Sequence, residues 1–152
     1  MTPDLTIVIP VHNEQDNIEI LLAEIEKEIS ASIPNYEIIV VNDGSNDSTL
    51  SVLKSSLQTR TNLKIFHHRT NLGQSSSLLS GVKGARSRWV ATLDGDGQND
   101  PHDIMKLWNL INGPDSDIMM VVGRRKIRSD SILRKVSSRI ANNIRQLYVF
   151  SN

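Results

Sequence analysis

The chain has 152 residues, of which 38% are hydrophobic and 22% are charged, and it contains no cysteine. This length suits one domain with a buried core, and this composition excludes a disordered, collagen-like or disulfide-bonded chain and any thiolate metal site. The formal net charge is zero, no apolar run approaches the about 20 residues that span a bilayer, and no signal peptide is visible at the amino terminus, so the sequence predicts a cytoplasmic protein.

Short apolar runs alternate along the chain with segments of helical periodicity. The runs are rich in Val and Ile and predict buried strands at residues 5–9, 36–41, 63–66, 89–93 and 118–122. Pro10 is expected to stop the first strand. Apolar residues three or four positions apart predict helices at 18–29, 50–57, 78–82, 104–111 and 133–147. The alternation predicts an α/β fold with a mostly parallel central sheet flanked by helices, while the strand order cannot be read from the sequence.

Short polar residues stand where three of these helices begin. Asp16 is expected to cap the first helix, and Asp47 or Ser48 the second. Asp100 followed by Pro101 predicts the start of the fourth helix, with Asp as the cap and Pro in the first helical position.

Polar side chains concentrate where the predicted strands end. In open α/β sheets, ligands bind beyond the carboxyl ends of the strands. Polar residues follow four of the strands at His12-Asn13-Glu14, Asn42-Asp43-Gly44-Ser45, Asp94-Gly95-Asp96-Gly97-Gln98 and Gly123-Arg124-Arg125. Because the tips of parallel strands face one edge of the sheet, three acidic loops and one basic loop predict a single site there.

The loop after the fourth strand carries the clearest chemical signal. Asp94 and Asp96, separated by one glycine, can both reach a hard divalent cation such as Mg²⁺ or Mn²⁺, and Gln98 adds an amide oxygen. The alternative is an ordinary surface turn, because Asp-Gly is a favourable turn dipeptide. The four histidines show no metal-ligand spacing and are interpreted as loop residues: His12, His67, His68 and His102.

Asp43 follows the second strand and has three possible roles. An acid at this point of a nucleotide-binding α/β fold can hydrogen-bond a base or ribose, but it can equally cap a helix or stabilise a turn. A phosphorylated aspartate of the response-regulator type is disfavoured, because only Glu14 follows the first strand where such proteins need an acidic pair. The glycine patterns of dinucleotide-binding and P-loop proteins are absent, which argues against dehydrogenases and P-loop NTPases.

Charge is distributed unevenly along the chain. Residues 1–123 hold nine Lys or Arg against sixteen Asp or Glu, whereas residues 124–152 hold eight against one. Arg124, Arg125 and Arg134 can neutralise a diphosphate or a lipid phosphate. The basic segment thus predicts an anionic partner or a solvated helix face. Nucleic acid is disfavoured, because only Tyr148 and Phe150 are available there to stack bases.

Four blocks occur in a fixed order: IVIPVHNE at residues 7–14, VVNDGS at 40–45, NLGQ at 71–74 and LDGDGQ at 93–98. In order and spacing they resemble the inverting glycosyltransferases of family two, in particular the dolichyl-phosphate mannose synthase and bacterial polyprenyl-phosphate sugar transferase group. The region of Arg125 and residues 134–142 resemble that group's phosphate-contacting loop and the helix after it.

The resemblance implies a GT-A fold that binds a GDP- or UDP-sugar with Mg²⁺ or Mn²⁺. Pro10, His12, Glu14 and Asp43 would then line the base and ribose pocket. The metal and the diphosphate would be held by Asp94, Asp96 and Gln98.

The resemblance also implies catalytic roles for Asp96, Arg125, Arg134 and Ser138, of which the last three would face the acceptor phosphate or the leaving diphosphate. A metal and arginines stabilise the charge that gathers on the diphosphate as the glycosidic bond breaks. A lipid phosphate acceptor is already ionised and needs no general base.

Proteins of this type continue well beyond 152 residues, so the chain is expected to be truncated at its carboxyl end, with the donor half present and the acceptor half largely missing. Residues 1–123 would form the nucleotide-sugar-binding core and residues 124–152 its acceptor and membrane side. The predicted function is transfer of a sugar to a polyprenyl phosphate at the cytoplasmic face of a membrane, either alone or beside a membrane partner. The alternative is a catalytically incompetent nucleotide-sugar-binding fragment or partner subunit. Apolar surface exposed at 132–147 would favour a homo-oligomer.

Overall fold

A computed structural model describes residues 2–112 and 120–123 of the chain. These residues form four strands and four helices in strict alternation, which confirms the α/β prediction. In chain order the elements are β1 (Leu5–Val11), α1 (Ile18–Ile29), β2 (Tyr36–Asp43), α2 (Thr49–Ser56), β3 (Leu63–His68), α3 (Gln74–Gly84), β4 (Trp89–Thr92) and α4 (His102–Ile111).

The four strands form one fully parallel sheet in the order β3-β2-β1-β4. The chain steps outward from β1 through β2 to β3 and then returns to the opposite side of β1 to place β4. The strand order therefore reverses between β1 and β4, and such a reversal opens a crevice at the carboxyl ends of the two strands.

Helices cover both faces of the sheet. On one face, alternate strand residues such as Ile7, Ile9 and Ile38 pack in a large core with the apolar sides of α1, α2 and α4. On the other face, Val8 and Val41 belong to a smaller core beneath α3. The period of two along each strand supplies both faces with apolar side chains, which explains the continuous apolar runs in the sequence.

Small residues bring α3 close to the sheet. The buried positions of this helix are Ser77 and Gly81, whereas Leu79 and Val82, two of its predicted apolar residues, are 55% and 44% exposed. A Cβ atom on Gly81 would lie 2.3 Å from Cγ1 of Val8. The helix therefore approaches the sheet through its smallest side chains. Of the three apolar residues that predicted its buried face, Leu78 packs against the smaller core, whereas Leu79 and Val82 do not.

Replacing Gly81 with Ala is expected to destabilise the protein by about 1–2 kcal/mol, because the overpacking against Val8 exceeds the helix preference of Ala over Gly. Urea unfolding measures the effect. The control is Gly123→Ala, a position outside any helix where a Cβ atom meets nothing within 4 Å. Equal stability of the two variants would show that α3 can move away from the sheet at no cost.

Pro10 does not end β1, which continues to Val11. The ladder between β1 and β4 stops at the pair Val8 and Thr92, followed by one bond from the Leu93 amide to the Val8 carbonyl. Pro10 lies two residues further along on the same side of β1, where no β4 residue pairs with it. Its missing N–H group therefore removes no ladder bond, and the strand can pass through it.

Two predicted helix caps are shifted by one residue. Asn17 rather than Asp16 precedes α1, and Pro101 rather than Asp100 precedes α4. Asp100 still contributes, because its Oδ1 accepts a hydrogen bond of 2.9 Å from the backbone amide of His102. The start of α2 agrees with the prediction. Ser48 stands at the cap position without a side-chain cap bond, and Asp47 Oδ1 accepts the Thr49 amide at 2.9 Å.

The predicted fifth strand, residues 118–122, is not supported where it is described. Residues 120–122 lie outside any strand, and Met120 and Val122 are 77% and 70% exposed. The predicted last helix at 133–147 lies outside the described residues. Within the described part of the chain, no helix combines the length and apolar character that are needed to cross a membrane.

Candidate functional site

A polar cleft of about 440 Å³ opens at the carboxyl ends of the strands, where the strand order reverses. Six of the residues predicted for the donor site line it: Pro10, His12, Glu14, Asp43, Asp94 and Asp96. The wall formed by the segment that leads into α3 adds Asn71, Gly73 and Gln74. The structure therefore brings together the tips of β1, β2 and β4, as the strand-end argument predicts.

The segment after β1 is tied to the tip of β2 and the start of α2. The ring Nδ1–H of His12 donates a 2.8 Å hydrogen bond to the backbone carbonyl of Asp43, so Nε2 is the acceptor in the neutral ring. The backbone amide of Glu14 donates to the Thr49 hydroxyl at 2.8 Å. One carboxylate oxygen of Glu14 accepts from the Asn17 side chain, also at 2.8 Å. These bonds fix the backbone of this wall while His12 remains exposed.

Asp43 is 3% exposed and binds the segment before α3. Its Oδ1 accepts the amide of Leu72 at 2.9 Å and Nδ1 of His68 at 2.7 Å, and its Oδ2 accepts the amide of Gly73 at 2.7 Å. Burial alone would raise the pKa of Asp43, but these hydrogen bonds outweigh it and lower the pKa below its ordinary value of 3.8. Asp43 is therefore a carboxylate at neutral pH.

Asp94 is held by two amide side chains. Gln74 donates to its Oδ1 at 2.7 Å, and Asn99 donates to its Oδ2 at 3.2 Å. Each carboxylate oxygen can accept a second interaction, so Asp94 keeps capacity for a ligand. Asp96 bends its own loop, because its Oδ1 accepts the backbone amide of Gln98 at 3.0 Å.

Gly95 lets this loop cross close to β1. A Cβ atom at this position would lie 2.5 Å from Cγ1 of Val11 and 3.0 Å from the carbonyl oxygen of Pro10. Glycine is therefore required between the two aspartates for steric reasons, since any side chain would push the loop away from the cleft.

Gln98 is the one predicted metal ligand that the structure does not bring into this cleft. It lines a neighbouring pocket of about 360 Å³ beside α1, together with Glu24, Glu28 and Asp100. The turn that Asp96 makes with the Gln98 amide directs the chain out of the cleft at this point. A role for Gln98 in metal binding stays a prediction.

The cleft suits a divalent cation that is bound together with a diphosphate. Among residues 2–112 and 120–123, no group of three or more His, Cys, Asp and Glu side chains is placed to hold a metal. Asp94 and Asp96 offer the oxygen ligands that Mg²⁺ and Mn²⁺ prefer, and Mg²⁺ is usually bound through one or two carboxylates and completed by water and substrate phosphates. Two carboxylates that line the cleft fit that pattern.

The remaining predicted site residues, Arg125, Arg134 and Ser138, lie outside the described residues, as does Arg124.

The interpretation of the histidines as loop residues is wrong for three of them. His67 and His68 lie in β3, and His102 begins α4. Strand β3 is longer than predicted because its two histidines continue the ladder opposite Asn42 and Asp43.

Three side chains that donate hydrogen bonds to Asp43 and Asp94 were not predicted from the sequence. Gln74 and Asn99 bind Asp94, and His68 binds Asp43. Gln74 stands in a block that carries the family resemblance, so its position was a usable signal. His68 offered none, because its partner is 25 residues away along the chain.

A parallel sheet between two helical layers, with a polar cleft where the strand order reverses, is the arrangement expected of a GT-A fold. A family model described as glycosyl transferase family 2 matches residues 6–151. The chain therefore belongs to glycosyl transferase family 2, which confirms the resemblance seen in the four sequence blocks.

Two relatives illustrate the part of the family to which the chain is similar. It is 35% identical over 141 residues to the dodecaprenyl-phosphate galacturonate synthase of Rhizobium johnstonii, covering 91% of this chain and 41% of that protein. It is 31% identical over 140 residues to the undecaprenyl-phosphate 4-deoxy-4-formamido-L-arabinose transferase of Photorhabdus laumondii, covering 91% and 42%. The chain thus spans about two-fifths of the length of these relatives.

Two solved structures share the fold. The mannosyltransferase PcManGT from Pyrobaculum calidifontis, in complex with GDP-Man and Mn²⁺, superposes with a TM-score of 0.64 at 22% identity, covering 75% of this chain and 34% of that one. Residues 1–349 of S. aureus TarS, in complex with UDP, give a TM-score of 0.62 at 23% identity, covering 85% and 39%. At these identities the likeness establishes the fold alone.

Proposed function

We propose that this chain carries the donor half of a metal-dependent transferase that moves a sugar from a nucleotide-diphosphate sugar to a polyprenyl phosphate. The observation that carries the proposal is the cleft in which the tips of β1, β2 and β4 meet. The cleft is lined by the Asp94 and Asp96 carboxylates, which suit a cation with a diphosphate, and by His12, Glu14 and Asp43, which suit a nucleoside.

The chemistry requires charge stabilisation on the leaving group. As the bond between the sugar and the diphosphate breaks, negative charge gathers on the diphosphate, and a bound divalent cation neutralises that charge. Asp94 and Asp96 would hold the cation, and the hydrogen bonds from Gln74 and Asn99 would keep the Asp94 carboxylate in place for it. The Mn²⁺ and GDP-Man bound to the mannosyltransferase neighbour support this choice of ligands.

The acceptor is proposed from the relatives and the basic segment. Dodecaprenyl phosphate and undecaprenyl phosphate appear in the names of the two relatives. Such a phosphate is ionised at neutral pH, so it can attack the sugar without a general base, and Arg125 and Arg134 suit its charge. The enzyme would then work at the cytoplasmic face of a membrane, where the lipid acceptor is held.

Calorimetric titration with GDP- and UDP-sugars, first with Mn²⁺ and then with EDTA, tests the donor half. Binding of one nucleotide sugar that is lost with EDTA is expected and would name the donor base. A transfer assay with polyprenyl phosphate then tests the acceptor. Donor binding without transfer would favour a catalytically incompetent nucleotide-sugar-binding chain. Absence of donor binding by a folded chain would contradict the proposal.

A further inference from the structure

The carboxylate of Asp43 is surrounded by donors from the protein itself. Its two oxygens accept three hydrogen bonds of 2.7 to 2.9 Å, from His68, Leu72 and Gly73. Two of these donors are consecutive backbone amides in the segment that leads into α3. Breaking these bonds would leave a buried charge unpaired. The main effect of the Asp43 carboxylate is therefore to fix the segment that leads into α3.

His68 is the side-chain donor to Asp43. Its Nδ1 lies 2.7 Å from Asp43 Oδ1, and since a carboxylate only accepts, Nδ1 carries the proton. Its Nε2 lies 3.0 Å from the hydroxyl of Ser80 on α3. The ring is thus held at both nitrogens, and its side chain is only 14% exposed.

The segment fixed by Asp43 forms one wall of the cleft. Asn71, Gly73 and Gln74 line the cleft, and Gln74 reaches across to Asp94 with a 2.7 Å hydrogen bond. Hydrogen bonds therefore join His68 to Asp43 and Asp43 to Gly73. Gln74, the residue after Gly73, is in turn bonded to Asp94.

We infer that His68 is a positioning residue for donor binding. By holding the Asp43 carboxylate against the amides of Leu72 and Gly73, it sets the wall that carries Gln74 and thereby the orientation of Asp94. This inference rests on the proposed function, because the ligand whose binding it controls is the nucleotide-diphosphate sugar.

The test compares the variants His68→Ala and His68→Asn with the unchanged chain. His68→Ala is expected to weaken binding of the nucleotide sugar in Mn²⁺ by about tenfold, the usual consequence of losing one hydrogen bond to a buried charge. His68→Asn is expected to restore binding to within about threefold, because the Asn amide stands near the place of Nδ1 and can donate to Asp43. The matched control is His67→Ala, which removes the neighbouring exposed histidine of β3.

Amide hydrogen exchange followed by NMR supplies a readout that needs no ligand. The amides of Leu72 and Gly73 are expected to exchange faster in His68→Ala and to regain protection in His68→Asn, while those of β1 stay protected in every variant. Unchanged exchange at Leu72 and Gly73, or full donor affinity in His68→Ala, would overturn the inference. If the unchanged chain binds no nucleotide sugar, the proposed function fails and the role of His68 in donor binding fails with it. Faster exchange at Leu72 and Gly73 in His68→Ala would then show only that His68 fixes the segment before α3.

Discussion

Replacing Asp96 with Asn is expected to lower the Mn²⁺-dependent affinity for the nucleotide sugar by about 100-fold, or roughly 3 kcal/mol. The substitution removes the charge that would hold the cation at the cleft. It keeps Oδ1, the atom that accepts the Gln98 amide at 3.0 Å, so the loop retains its turn. Calorimetry with and without Mn²⁺ measures the change, and the weak binding left in EDTA should be the same in both proteins.

The control for this variant is Asp103→Asn on α4. It removes an equal charge from a side chain that is 65% exposed. That protein is expected to bind the nucleotide sugar as the unchanged chain does. Equal Mn²⁺-dependent affinity of Asp96→Asn and Asp103→Asn would show that the Asp-Gly-Asp loop is a surface turn. The assignment of Asp96 to the metal would then be wrong.

The sequence was sufficient for most of the fold because its signals are local. Buried parallel strands are continuous apolar runs, and a helix such as α1 shows its core side through Ile18, Leu22 and Ile25. The site was predictable in outline for a geometric reason. Residues that follow parallel strands meet at one edge, so Asp43 and Asp94 come together although 51 positions separate them along the chain.

The remaining features depend on contacts that no local pattern records. The passage of β1 through Pro10 depends on where the ladder to β4 stops, and the packing of α3 depends on Gly81 meeting Val8. The same reason explains His68, whose role follows from its distance to Asp43 in space. Long-range pairings of this kind are fixed by tertiary packing and not by the spacing of residues.

A buried carboxylate at the amino ends of the strands, opposite the cleft, serves stability instead of ligand binding. Glu37 lies on β2 and is 3% exposed. Its Oε1 accepts the Thr6 hydroxyl at 2.9 Å and the Arg86 amide at 3.0 Å, and its Oε2 lies 2.8 Å from the Lys64 ammonium and 3.0 Å from the Arg86 guanidinium. This cluster joins β1, β2 and β3 to the segment after α3.

Replacing Glu37 with Gln is expected to lower the free energy of unfolding by about 2 kcal/mol near neutral pH. Burial alone would raise the pKa of Glu37, but the bonds from Lys64, Arg86 and Thr6 outweigh it and lower the pKa from 4.5 to about 2. The full shift would correspond to about 3 kcal/mol. The Lys64 and Arg86 side chains are 36% and 57% exposed, so solvent screening reduces that value. Urea unfolding at about pH 7 measures the loss, with the exposed Glu24→Gln as the control.

The pH dependence separates the charge of Glu37 from its packing. Because the pKa is lower in the folded state, the charge stabilises the protein fully above about pH 4.5, and this stabilisation is lost as the pH falls toward about 2. The difference in stability between the unchanged chain and Glu37→Gln should therefore shrink as unfolding is measured at successively lower pH. If the difference in the free energy of unfolding stays constant down to about pH 3, Glu37→Gln destabilises the protein through the shape and hydrogen bonding of Gln. In that case the ion pairs with Lys64 and Arg86 would contribute nothing to the stability of the fold.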